Sequence, residues 1–337
     1  MNSLEQYTIH TFENIDYKEY EKKLNTFLAD NSLSNLFCLP DFLRYHLHSD
    51  CPLIGYRFVD LIIEEKSNII CYIPGTINSK KKIFESHIGT SFSGPYFSSQ
   101  LDISKKSDII KKIINHIHSL NINKIIFRLP PSFYFTKQSH FINELEFIIF
   151  SLNFSVSNYD LNVVINLDQL NKANFISSFS CSVRRNYKTA SSFHLQMEMT
   201  NDIKTFYSIL VENRTKFGVK PTHSLLDLEY LKLQFPEKIK FFLLYDKGTP
   251  IAGLCSFQVT DSALNVFYFC HIRSHEKKKP VDYLLIEYIK WALKNKFNII
   301  DLGPTNEGQK INYGLLKFKR RFNGRVAIRK KFQLLIK

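Results

Sequence analysis

The chain has 337 residues, 44% of them hydrophobic, with 30 Phe and 17 Tyr against 11 Gly and 11 Pro. That is enough to fill two packed domains and too little Gly and Pro for long disordered linkers. The net charge of +14 is lopsided: residues 1–165 hold 16 Lys/Arg against 17 Asp/Glu, and residues 166–337 hold 29 against 14.

A one-sided positive field attracts phosphates, nucleic acid or an anionic membrane face, unless it is only a solvated basic surface. From Lys317 to Lys337 there are nine basic residues and no acidic one. The start of the chain has no basic segment followed by an apolar run, so no signal peptide is expected. The longest apolar stretches, such as 147–150 and 241–245, are too short to span a bilayer. The six cysteines, at 38, 51, 71, 181, 255 and 270, form no CxxC pair. They read as buried free thiols in a reducing, cytoplasmic setting.

In chain order, the first half reads as a helix over 17–29, strands over 57–63 and 69–73, a helix over 104–120, a strand over 124–129 and a helix over 135–151. A strand over 161–167 carries the chain across a boundary near 165, giving lobes 1–165 and 166–337. The second half reads as helices over 182–192, 202–217 and 225–234, then strands over 240–245, 251–260 and 264–272. A helix over 280–296 and strands over 298–302 and 326–335 follow. Pro280 suits a first helical turn, where its missing N–H costs nothing. The turn Asp246-Lys247-Gly248-Thr249-Pro250 makes a hairpin of its flanking strands. A weak repeat supports two lobes: each half has a long amphipathic helix, a short link, and a buried strand ending at Pro130 or Pro304.

Four segments carry candidate chemistry. Arg184, Arg185 and Lys188 cluster on one helix and can grip phosphate oxygens, or simply form an exposed flank. Ala252-Gly253 inside a strand permits close approach of a ligand or of another backbone. Asp301, at a strand end before a polar loop, stands where α/β proteins place ligands, or caps locally. Phe318 and Phe322, four apart, bury as one stripe. Lys319 and Arg320 flank that stripe, as solvated charges or as fixed charges for an anionic substrate. Tyr268 and His271 lie three apart on a strand and face opposite sides, so only one can reach a cleft. His223, in a loop before a helix, is a candidate for proton transfer. Glu212 and Arg214 are helical and read as solvated or paired. No HExxH or GxSxG motif supports a zinc or nucleophilic hydrolase.

In this order the segments resemble the GNAT superfamily and, within it, the Fem-like branch, which includes aminoacyltransferases that build peptidoglycan cross-bridges. The resemblance is clearest over 175–325. It rests on Arg184-Arg185-Asn186-Tyr187-Lys188-Thr189-Ala190, Lys247-Gly248-Thr249-Pro250-Ile251-Ala252-Gly253, Asp301-Leu302-Gly303 and the run from Gly314 to Gly324. Ser93-Gly94-Pro95 looks like the family's Gly-Gly-Pro turn. The resemblance implies an α/β fold of tandem GNAT-like lobes, each a mixed, mostly antiparallel sheet flanked by helices.

It also implies acyl transfer to an amine, without a metal and with no permanently bound cofactor. The acyl donor, aminoacyl-tRNA or acyl-CoA, is then a co-substrate. The implied partners are an anionic or lipid-linked acceptor of the cell envelope, tRNA, and an anionic membrane face. Lys319 is implied to face substrate phosphate or developing negative charge, with Arg184, Arg185 and Lys188 as supporting surface. One departure bears on the donor. The stretch 273–283, where acyl-CoA users carry a glycine-rich pyrophosphate loop, has no glycine. Lys277, Lys278 and Lys279 offer charge there in its place. The competing readings are an acyl-CoA-dependent N-acyltransferase of an amino sugar, and a non-catalytic GNAT-like module that binds RNA or other anions.

Overall fold

The computed structural model describes residues 7–13, 16, 18–30, 34–48, 53, 55–135, 139–170, 174–216 and 218–336. The chain forms two compact units. One runs to Asp160 and takes back the chain end from Ile328, and the other contains Leu161–Ala327. The division at 165/166 put the whole C-terminus in the second lobe. Residues from Ile328 belong with the first, because the last strand hydrogen-bonds there.

In the first unit, β1 (Tyr7–Glu13), β2 (Arg57–Glu65), β3 (Asn68–Ile73), β4 (Gly75–Asn78), β5 (Ile83–Ser86), β6 (Tyr96–Phe97) and β7 (Lys124–Arg128) form the sheet. Helices α1 (Glu21–Asp30), α2 (Pro40–His48), α3 (Ile103–Ser119) and α4 (Ser139–Ser151) flank it. Ile109, Ile110, Ile113 and Ile117 fall on one face of α3 and are fully buried. Asp102 caps that helix by accepting the Lys105 amide at 2.7 Å. Pro74 interrupts β3 and β4, and buried Asp60 accepts the Gly75 amide at 2.8 Å across the break. Gly75 is required there, since a Cβ would lie 2.5 Å from the Val59 carbonyl. All pairings are antiparallel except β5 with β7, Ile83↔Lys124 to Glu85↔Ile126.

The second unit begins within β8 (Ser155–Asn166). It continues through α5 (Cys181–Ser191), β9 (Gln196–Thr200), α6 (Ile203–Thr215), α7 (Leu225–Gln234), β10 (Ile239–Asp246), β11 (Thr249–Thr260) and β12 (Ala263–His271). Then come α8 (Pro280–Lys294), β13 (Ile299–Pro304), β14 (Asn306–Glu307), β15 (Lys310–Ile311), α9 (Tyr313–Arg320) and the start of β16 (Arg325–Leu335), which from Ile328 belongs to the first unit. Its main sheet has the order β8-β13-β12-β11-β10-β9. Again one pair is parallel, β12 with β13. The units thus repeat a strand, a helix and a parallel strand, β5-α3-β7 and β12-α8-β13, the element behind the repeat in the sequence.

Two features of this sheet prepare the site. The β11–β12 register jumps from Cys255↔Tyr268 to Ser256↔Val266, so Phe267 is an extra residue, a bulge that turns the rest of β12. The β12–β13 ladder runs from Ala263↔Ile299 to Asn265↔Asp301, yet the strands continue to His271 and Pro304. Past Asn265 and Asp301 the parallel ladder has ended.

Among the described residues no helix is long and apolar enough to cross a membrane. Cys38, Cys71, Cys255 and Cys270 are buried free thiols. Cys181 is exposed, contrary to expectation, because it opens α5. Cys51 lies outside the described residues, as do residues 17 and 217 at the ends of two expected helices.

Candidate functional site

The site is built where β13 ends. Asp301 is 1% exposed and accepts several N–H groups: Asn162 Nδ2 at 3.1 and 2.8 Å, the Gly303 amide at 2.7 Å and Asn265 Nδ2 at 3.3 Å. Gly303 follows at φ +80°, a turn that favours glycine, and bends the chain out of the sheet. Asn312 caps α9 by accepting the Leu315 amide at 2.9 Å, and α9 then carries Lys319 back to the bend. The Lys319 ammonium donates to the Gly303 carbonyl at 3.1 Å and the Pro304 carbonyl at 2.9 Å.

Lys319 is 3% exposed. Burial pulls its pKa down to about 8; the Asp301 carboxylate supports the charge and the Arg214 guanidinium opposes it. The expectation of a solvated lysine is therefore corrected. The ammonium is committed to two strand-end carbonyls, because α9 folds its apolar face inward and takes the lysine with it. Phe318 is half-buried, with its ring 5.6 Å from Phe269 and 5.5 Å from Phe322. Arg320 is exposed.

Beyond the bulge, β12 brings Tyr268 to His223. The Tyr268 hydroxyl accepts the His223 amide at 3.1 Å and lies 2.9 Å from His223 Nδ1. The imidazole is enclosed by the rings of Phe267, Phe257 and Tyr268, and desolvation drops its pKa to about 4. Burial pushes the Tyr268 hydroxyl up to about 12. At neutral pH this is a neutral imidazole paired with a neutral phenol. His271 is half-buried; its carbonyl accepts Asn213 Nδ2 at 3.0 Å.

Arg214 escapes the sequence reading. It ends α6 with its guanidinium 5.8 Å from the Tyr268 ring centroid, and its charge is felt at Lys319, Tyr268 and Cys270. Helical periodicity places Arg214 on an exposed face. Only tertiary packing lays that face beside the departing strands.

The remaining candidates separate. Arg184, Arg185 and Lys188 lie on the exposed side of α5, and Arg184 bonds locally to the Ser177 carbonyl and Cys181 Sγ, both at 3.0 Å. Between them, Asn186 donates to Asp282 at 3.3 Å, and Arg321 lies 3.4 Å from the same carboxylate. Ala252 and Gly253 are corrected: no ligand approach is needed to explain them. Ala252 is fully buried, and a Cβ on Gly253 would lie 2.7 Å from Phe206, so the glycine seats α6 on the sheet. Three cations of the basic C-terminal run are corrected from free to paired. Arg329, Lys330 and Lys331 pair with Asp160, Glu146 and Glu85, because β16 lays them beside those acids.

The segment before α8 is occupied from within. Arg273–Lys278 form a 3-10 turn, Lys279 is left-handed at φ +55°, and Lys278 pairs with Asp246. Asp282, buried in the first turn of α8, puts a carboxylate where a helix start would attract an anion.

No family model and no curated protein matches the chain in sequence. Its fold matches solved structures along nearly its whole length. FemX superposes with a TM-score of 0.68 at 10% identity, covering 98% of this chain and 97% of FemX. L-PGS from Bacillus licheniformis gives 0.58 at 12%, covering 94% and 91%. A tandem GNAT protein from the clavulanic acid biosynthesis pathway gives 0.54 at 7%, covering 97% and 98%.

Proposed function

We propose that this chain, with the tandem GNAT fold of FemX, is an acyltransferase that moves an acyl or aminoacyl group onto an amine of a cell-envelope or polysaccharide precursor. The observation that carries the reading is the convergence of Lys319, Arg214, Tyr268 and His223 where β12 and β13 part. In the reaction a neutral amine attacks the donor carbonyl, the bond to the leaving oxygen or sulfur breaks, and the leaving group takes the proton the amine gives up. Fixed positive charge from Lys319 and Arg214 stabilises the oxyanion or an anionic reactant. The Tyr268 hydroxyl and the His223 imidazole offer neutral hydrogen-bonding groups for the proton, acting by position and not by net charge.

Aminoacyl-tRNA is the favoured donor. A coenzyme A pyrophosphate needs close backbone approach at a helix start. Here the segment before α8 lacks glycine, Lys278 is paired with Asp246, and Asp282 fills the first turn. The exposed Arg184, Arg185 and Lys188 on α5 suit a polyanionic donor or acceptor. They also favour a second reading, a non-catalytic module that binds RNA.

One assay separates these. The protein is offered radiolabelled aminoacyl-tRNA with an amine-bearing envelope precursor, and in parallel acetyl-CoA with a thiol reagent. Label in the precursor supports the proposal. Thiol release with acetyl-CoA overturns the donor, and salt-sensitive RNA binding without transfer overturns the enzyme.

A further inference from the structure

Asp301 and Lys319 meet at one residue, Asp301 accepting the Gly303 amide and Lys319 donating to the Gly303 carbonyl, and Asp301 is held in turn from the neighbouring strand β8. Asn162 lies on β8, is 1% exposed, and directs its Nδ2 at both oxygens of Asp301. Its Oδ1 is fully enclosed and has no hydrogen-bond partner. A buried unpaired amide oxygen is destabilising. The opposite amide orientation would set Oδ1 against the carboxylate, so the side chain is oriented for Asp301 at the expense of its own second hydrogen bond. β13 has an irregular register at this point, with Val164 opposite Asp301 and Asn162 opposite Pro304. Asn162 therefore stands beside the same bend that Lys319 holds by its Gly303 and Pro304 bonds.

We infer that Asn162 is a positioning residue for the transfer site: its amide grips both oxygens of Asp301, which accepts the Gly303 amide at the bend whose Gly303 and Pro304 carbonyls hold the Lys319 ammonium. The charged groups facing that ammonium are Asp301 from β13 and Arg214 from α6, with opposite effect. Asn265 adds a longer contact to Asp301 at 3.3 Å. A solvent-facing lysine would need no such support. A buried ammonium that also feels the Arg214 guanidinium does, and Asn162 fixes the Asp301 carboxylate that acts on it. The inference deepens the proposed function, since it takes Lys319 as part of the site, but its test needs neither donor nor acceptor.

The test is a titration of Lys319 by NMR on lysine-labelled protein, with the resonance assigned by its loss in Lys319→Arg. The parent midpoint is expected near the shifted value, about 8. In Asn162→Leu, and in the smaller polar variant Asn162→Ser, the midpoint should fall by about one unit. A purely structural role would lower the melting temperature and leave the midpoint in place; an unchanged midpoint in either folded variant overturns the inference. In the parent protein the Asn162 side-chain amide signals should also shift with that same midpoint. Signals indifferent to it overturn the inference even if both variants fail to fold. Absence of transfer by the parent protein, with the midpoints moving as expected, would count against the enzyme reading alone.

Discussion

The Tyr268 hydroxyl stands 2.9 Å from Nδ1 of His223 and at the same time accepts the amide of that residue at 3.1 Å. The pair closes a dry aromatic compartment in which the imidazole stays neutral, with its pKa near 4. The ordinary value is about 6.5, so between these two values the unfolded chain binds the proton and the folded chain does not. Stability from this group is complete above pH 6.5 and is lost as pH falls towards 4. Full loss corresponds to about 3 kcal/mol. Melting temperatures measured from pH 7 to 4.5 should fall steeply, and His223→Gln should flatten that slope.

Lys319 gives a pH dependence at the alkaline end. If transfer needs its ammonium, the rate should fall as pH rises through about 8. Stability runs the other way, since the unfolded lysine stays protonated to about 10.4 and the folded one does not. Arg214 opposes the charge, so Arg214→Met should move the alkaline limb of the rate to higher pH while lowering the rate itself by roughly 10- to 100-fold. A limb that stays in place in this variant would place Lys319 outside the chemistry.

Gly253 belongs to packing, and its prediction is steric. An added Cβ would sit 2.7 Å from Cδ2 of Phe206 and 3.5 Å from Leu243. Gly253→Ala should cost about 1–3 kcal/mol by overpacking. Phe206→Leu in the same chain should restore part of that cost, as urea denaturation of the single and double variants would show. If Gly253→Ala instead keeps full stability and loses activity, the glycine serves the site after all.

The long elements were legible because each shows a clean period. Helix α7 has the expected bounds, Leu225–Gln234, and β16 starts one residue earlier than expected. Helix α2 was missed because it is short and His46 and His48 interrupt its apolar pattern; β5 and β6 are too short to show alternation. Lys319, Tyr268, His223 and Asp301 stood out by residue type, and the fold gathers them beside β12 and β13. Their partners did not stand out. Asn162 is an unremarked polar residue in an apolar strand, and Arg214 looks solvated on its helix. Nor does a basic run reveal its acids. Asp160, Glu146 and Glu85 are remote in sequence from the cations they neutralise.

The start of α8 yields the last prediction. Asp282 is buried there, burial raises its pKa, and Arg321 at 3.4 Å and Asn186 at 3.3 Å hold its charge. Arg321 is partly exposed and lies 5.0 Å over the Phe318 ring, so the ion pair is worth less than a sealed one. Asp282→Ala should therefore cost about 1–3 kcal/mol, mainly by leaving Arg321 without its counter-charge. The double variant Asp282→Ala/Arg321→Met should recover part of that loss. The single variant also leaves a helix start and a guanidinium with no internal anion. Inorganic pyrophosphate should then raise its melting temperature and leave that of the parent unchanged. An equal rise in both proteins would mean that Asp282 does not fill the helix start and that a coenzyme A pyrophosphate could bind there.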